Sequence, residues 1–158
     1  MRSGVRVGID VGKVRIGVAR SDLHGMLATP VETVARGAGD LVRLRAILDE
    51  LEAFEVIVGL PLAMSGQRTA STEDAATFAE QLAAVAGVPV RMVDERLTTV
   101  SAGAALRSSG RNSKQGRPVI DQVAAVIILQ HALDYERSRE NPAGFVVEPP
   151  EGSTPTKD

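Results

Sequence analysis

The chain has 158 residues, of which 44% are hydrophobic, 24% charged and 3% aromatic; it carries a net charge of −2 and no cysteine. That size fits one domain around one core, and the missing cysteine excludes disulfides, thiolate nucleophiles and zinc–thiolate sites. With no charged-then-apolar leader and no apolar run of about 18 residues, neither export nor membrane spanning is expected, and the cytoplasm is the expected compartment.

Val5 to Val11 alternates, with Val5, Val7, Ile9 and Val11 on one side and Arg6, Gly8 and Asp10 on the other. Gly12-Lys13 turns the chain, and Arg15 to Ser21 returns as a second strand with Gly17 and Ala19 opposite Ile16 and Val18. One face of this hairpin is large and aliphatic. The other carries Gly8, Gly17 and Ala19 around Asp10 and leaves room for a ligand or a close helix. A third strand falls within Met26 to Ala35.

Asp40 is expected to cap a helix reaching about Glu52, with Leu41, Leu44, Ile47, Leu48 and Leu51 on one stripe. Val56-Ile57-Val58 reads as a central parallel strand, apolar on both faces and ended by Gly59-Leu60-Pro61. A second helix starts near Ser71 or Thr72, with Glu73 and Asp74 in its first turn, and stops at Gly87. Val88 to Val93 is the next strand. Thr98 or Thr99 caps a short helix ending near Ser108, and Ser109 to Gly116 is a basic loop. Pro118 suits the first turn of a last helix, which Val119 to Tyr135 continues. From Arg139 the composition turns polar and proline-rich, so residues 139–158 are expected to be a disordered tail behind a domain of residues 1–138. The expected fold class is α/β: three antiparallel strands, then parallel strands reached by right-handed crossovers, in one mixed sheet with helices on both faces.

Three acids carry the chemistry. Asp10 lies near the end of its strand, and Glu95 just beyond the end of another. In open α/β sheets, ligands collect at such ends. Asp121 opens an apolar helix whose Ala124, Ala125, Ile128 and Ala132 fall near its side. The alanines permit close approach to the Gly8/Gly17/Ala19 face, which carries Asp121 toward Asp10. Carboxylates aimed into packed protein are costly unless a cation meets them. Oxygen donors without His or Cys select Mg²⁺ or Mn²⁺, and two such ions can hydrolyse a phosphodiester. Asp10 is assigned the bridging role, with Glu95 and Asp121 holding one ion each. Mutual repulsion predicts a raised pKa for at least one acid in the metal-free protein. Taken singly, each acid also reads as a turn, strand-end or helix-start residue. Asp94 reads as structural, Asp22 as a hydrogen-bonding residue of the hairpin, and His24 and His131 as surface or packing residues.

From Arg96 to Arg117 there are five basic residues and no acid. Arg96, Arg107, Arg111, Lys114 and Arg117, with Lys13 and Arg15 at the hairpin turn, are candidate phosphate contacts. Thr98 and Thr99 at a helix start form a second candidate anion site. The same basic loop also reads as merely solvated. With no Trp, one Tyr and three Phe, recognition of single strands by stacking is disfavoured.

Gly8-Ile-Asp-Val-Gly-Lys-Val-Arg-Ile-Gly-Val-Ala-Arg-Ser-Asp22, Val58-Gly-Leu-Pro61, Asp94-Glu-Arg-Leu-Thr-Thr99 and Ile120-Asp-Gln-Val-Ala-Ala-Val-Ile-Ile-Leu-Gln130, in this order, resemble the YqgF/RuvX family. The resemblance covers roughly Val5 to Leu133. It implies a ribonuclease H-like fold related to the RuvC resolvases, with Asp10, Glu95 and Asp121 as catalytic acids. It also implies a metal-dependent nuclease acting on structured nucleic acid, either the 5′ end of precursor small-subunit ribosomal RNA or Holliday junctions, the latter calling for a homodimer. Two departures, Ser65-Gly66 after Leu-Pro and a sparser basic loop near Lys114, bear on substrate grip. Two other readings compete. One is a non-catalytic nucleic-acid-binding module on the same fold. The other is an actin-like ATPase, which needs a second such domain and for which no Walker-type loop is present.

Overall fold

The computed structural model describes residues 1–96 and 113–150, with the backbone alone for 113–120. Its described elements are β1 (Val5–Val11), β2 (Arg15–Ser21), β3 (Ala28–Ala35), α1 (Asp40–Leu51), β4 (Ala53–Leu60), α2 (Ala70–Ala86), β5 (Val90–Asp94), α3 (Ser113–Arg139) and β6 (Phe145–Val146). They form one sheet in the order β3-β2-β1-β4-β5-β6. β1, β2 and β3 are antiparallel neighbours, whereas β4 joins β1, and β5 joins β4, in parallel. The mixed α/β sheet matches the expected class.

Strand alternation divides the molecule into two layers. Val7, Ile9, Ile16, Val18, Val56, Val58 and Met92 face a core shared with Leu44, Ile47 and Leu48 of α1 and Phe78 and Leu82 of α2. Their neighbours Ala19, Ile57 and Val93 face the other way, onto Ala125, Ile128, Leu129 and Leu133 of α3. β4 is therefore apolar throughout because both of its faces are covered.

α3 lies against the sheet because the sheet is bare beneath it. A Cβ built on Gly17 would overlap the carbonyl oxygen of Asp121, and one on Gly8 would come 2.6 Å from Leu129 Cβ. The small-residue face read from the hairpin is thus the seat of the last helix.

Several boundaries differ from the sequence reading. α1 is capped by Gly39, at φ 91°, with Asp40 inside the helix accepting from the backbone N–H groups of Gly37 and Leu41. α2 starts earlier than Ser71. Thr69 and Thr72 close a reciprocal cap, and the Thr72 hydroxyl also donates to the Pro61 carbonyl, tying the helix start to the end of β4. α2 stops at Gly87, at φ 74°, as expected. β5 begins at Val90, after Pro89 has given its carbonyl to Val56. α3 begins at Ser113, so part of the expected basic loop is helical and Pro118 lies inside the helix.

The segment assigned to a disordered tail also needs correction. Phe145–Val146 pairs antiparallel with β5, Ala143 and Val147 are buried, and Val147 N–H donates to the Val90 carbonyl. Gly144, at φ 71°, lets the chain pass against the Met92 carbonyl, where any Cβ would collide. The short run Ala143 to Val147 outweighed its proline-rich surroundings. Residues 151–158 lie outside the described residues.

Candidate active site

The register of the sheet sets where the acids meet. Ile9 pairs with Val58, so Asp10 continues level with Gly59; Gly59 in turn pairs with Val93 on β5. β4 thus separates β1 from β5, and Gly59 is the residue between the two carboxylates. Its missing side chain matters, because a Cβ there would overlap Oε1 of Glu95 and come 2.7 Å from Ile128 Cδ1. Glu95 is held at the end of β5 by its backbone N–H, which donates to the Leu60 carbonyl at 3.0 Å. Through this gap the Glu95 and Asp10 side chains share a hydrogen bond.

Asp121 arrives from the other side. Asp10 pairs with Gly17 across the hairpin, and Gly17 is the position on which the Asp121 backbone rests. The Asp121 charge reaches Asp10 and raises its pKa. Its own carboxylate, however, is turned to Arg15, whose Nε donates to Oδ2 at 2.9 Å.

Electrostatics mark the pair. Burial is the largest cause that lifts Asp10, up to about 6, with the Asp121 charge adding to it. Burial likewise lifts Glu95 to about 7, followed by the Asp10 charge, the shared hydrogen bond and the Asp94 charge. Both acids are therefore raised, and the hydrogen bond between them is one that a protonated carboxyl makes to its carboxylate neighbour. The expected rise from crowded acids is present, but desolvation drives it more than mutual repulsion.

The other candidates are distributed around this centre. Arg15 reaches it. The charge of Lys13, at the hairpin turn, helps to lower the pKa of Asp74 on α2. Arg96 is paired with Asp94, the contact that makes Asp94 structural as expected, and donates to the Met64 carbonyl at 3.4 Å. It therefore ties the loop after β4 to the end of β5. Asp22 accepts from the backbone of His24, Met26 and Leu27, as read for the hairpin. Thr98, Thr99, Arg107 and Arg111 lie outside the described residues, and Lys114 and Arg117 are described only as backbone of α3.

Sequence reasoning missed Gly59 as a site residue. The signal was there, a glycine closing an otherwise apolar strand, but it read as a strand end.

An oxygen-only set of partly buried acids suits a hard divalent cation by its chemistry. As placed, among the described residues, no group of three or more His, Cys, Asp or Glu side chains is arranged to hold a metal ion. Asp10 and Glu95 are together, while Asp121 stands beside them in an ion pair.

Comparison with known proteins places the chain in a family. The family model described as RuvX, Holliday junction resolvase, matches residues 4–135. The chain is 65% identical over 151 residues to a protein of Leifsonia xyli subsp. xyli, covering 94% of this chain and 97% of that one. A Thermobifida fusca protein is 52% identical over 156 residues, covering 94% and 98%. Both bear the name "Putative pre-16S rRNA nuclease". Among solved structures, Thermus thermophilus RuvC matches with TM-score 0.53 at 18% identity, covering 89% of this chain and 99% of that chain. RuvC of the same organism in complex with a Holliday junction substrate gives 0.52 at 19%, covering 90% and 99%. These two likenesses show a ribonuclease H-like fold.

Proposed function

The chain belongs to the RuvX family, and from that membership together with the clustered acids we propose that it is a divalent-metal-dependent endonuclease acting on structured nucleic acid. The carrying observation is the half-buried Asp10–Glu95 pair at the carboxyl ends of β1 and β5, with Asp121 close enough to raise the Asp10 pKa. A module that only bound phosphate would gain nothing from burying carboxylates, which repel it.

Asp10, Glu95 and Asp121 are the residues that would hold Mg²⁺ or Mn²⁺. The bound ions supply an activated water and stabilise the leaving oxygen of the phosphodiester. The protein's own residues prepare the site. Gly59 leaves the space in which Glu95 meets Asp10. The Asp10–Glu95 pair would give up its shared proton on taking a divalent cation. Arg15 and Arg96 offer guanidinium groups at the same sheet edge. With Lys13, Thr98, Thr99, Arg107, Arg111, Lys114 and Arg117 they form the proposed phosphate contacts, which position the substrate without reading its sequence.

The names of the 52–65% identical relatives favour precursor 16S ribosomal RNA as substrate. The family description favours a second reading, resolution of Holliday junctions; two matched cuts in a four-way junction would call for a homodimer. One assay tests both. Purified protein with Mn²⁺ is given labelled precursor RNA, four-way junction, flap and single strand side by side, with Asp10→Asn as control. The expected result is cleavage of a structured substrate that disappears with the substitution. Salt-sensitive binding without cleavage in any metal would leave a non-catalytic binding module instead.

A further inference from the structure

We propose that Arg15 is a positioning residue that exchanges partners: it holds Asp121 in an ion pair in the metal-free protein and releases it for a phosphate of the substrate when metal and nucleic acid bind. This rests on the metal-site reading above.

Both residues are fixed at the backbone and free at the tip. Arg15 opens β2, paired with Ala35 on one side and bonded to Gly12 across the turn. The Asp121 backbone rests on Gly17, with no room to shift toward the sheet. The side chains remain 38% and 22% exposed, so each can turn without disturbing the core. Only Nε of Arg15 is engaged, at 2.9 Å from Oδ2; among the described residues its two Nη nitrogens donate to nothing. Those nitrogens form the fork that matches two phosphate oxygens.

A divalent cation and the guanidinium call for the same carboxylate charge and repel each other. The ion pair therefore opposes metal uptake, and a phosphate that draws Arg15 away favours it. Linkage makes this reciprocal, so metal must strengthen nucleic-acid binding by the same factor.

Arg15→Gln tests the exchange. Mn²⁺ binding to the full chain is measured by calorimetry without nucleic acid, and binding of a labelled four-way junction by anisotropy with and without Ca²⁺. Partly exposed ion pairs are modest, so the variant should bind Mn²⁺ about two- to fivefold more tightly. It should also lose the Ca²⁺-dependent gain in junction affinity that the unsubstituted protein shows. Arg15→Lys, which keeps the charge, should stay close to the unsubstituted protein in the Mn²⁺ titration. Equal or weaker Mn²⁺ binding by Arg15→Gln, or a Ca²⁺ gain that persists in it, overturns the proposal while leaving the nuclease reading intact. An unsubstituted protein that takes up no Mn²⁺ overturns both. If circular dichroism shows Arg15→Gln unfolded, Arg15→Met, which keeps the packing of the stem, is held to the same outcomes.

Discussion

At the scale of single residues, the site is a matter of which carboxylates have partners. Asp94 is paired with Arg96 and its pKa is lowered, by the hydrogen bond first. Glu95, the next residue, and Asp10, on β1 beyond β4, have each other, and both are raised. The sign of the consequence is definite. An acid whose pKa rises on folding holds its proton more tightly when folded. Its stabilising contribution is complete below the unfolded value and is lost as pH rises through the folded one. For these two the window runs from about 4 up through about 6 for Asp10 and about 7 for Glu95. The metal-free protein should therefore melt at a lower temperature at pH 8 than at pH 5. Asp10→Asn, which removes one charge and relieves the other, should flatten that difference while abolishing cleavage. Thermal melts in chelator at the two pH values check it, and an equal fall in both proteins would mean the pair is not buried as described. The arginine-paired acids lose their contribution only on the acid side, outside this window.

At the scale of elements, the site depends on how α3 sits on the hairpin. The contact at Gly17 is with backbone, which cannot swing aside as a side chain can. Gly17→Ala should lift the start of α3 from β2, costing about 1–3 kcal/mol as overpacking does. It should also reduce cleavage beyond what the stability loss explains, because Asp121 moves with the helix. Urea midpoints paired with activity at a temperature where both proteins are folded separate the two effects; a loss of stability with full activity would detach Asp121 from the chemistry. This seat was legible in the sequence because Gly8, Gly17 and Ala19 recur with the strand period opposite Val7, Ile9 and Val18. β1 and β2 were legible for the same reason. Gly59 was not, since its role depends on β4 lying between β1 and β5, and strand order is not written in any one segment. The cap by Thr69 and Thr72 was missed because the preceding loop gave no periodicity to mark its end. The return of residues 143–147 to β5 was hidden by prolines that set composition but not the local apolar run.

At the scale of the whole molecule, α3 carries an acid toward each end of the strands it covers. Asp121 and Glu136 are fifteen residues apart, about 22 Å along the helix. Glu136 receives hydrogen bonds from Arg2 and Arg6, while Arg2 and Arg91 both bond Glu55 on β4. Phe54 lies under the guanidinium groups of Arg2 and Arg6, at 5.0 and 4.7 Å. This network joins the start of the chain, β4, β5 and the end of α3, and no sequence spacing announces it, since its members come from four distant segments. It inverts the logic of the site. The Arg2 hydrogen bond above all holds the Glu136 carboxyl down at about 2, so its stabilising contribution is present above the ordinary glutamate value and is lost as pH falls toward 2. Arg6 is 1% exposed, and its Nε already lacks a hydrogen-bond partner among the described residues. Glu136→Ala would leave that buried charge without its carboxylate, a change that typically costs about 3–5 kcal/mol. The urea midpoint should fall accordingly with an unchanged slope, and Glu136→Gln should lose the part of the acid-side dependence of stability that Glu136 supplies. Cleavage by whatever fraction stays folded should persist, because nothing at this end of the strands touches the acids at the other. Loss of cleavage in the folded variant would instead make the network part of what holds Asp121 in place.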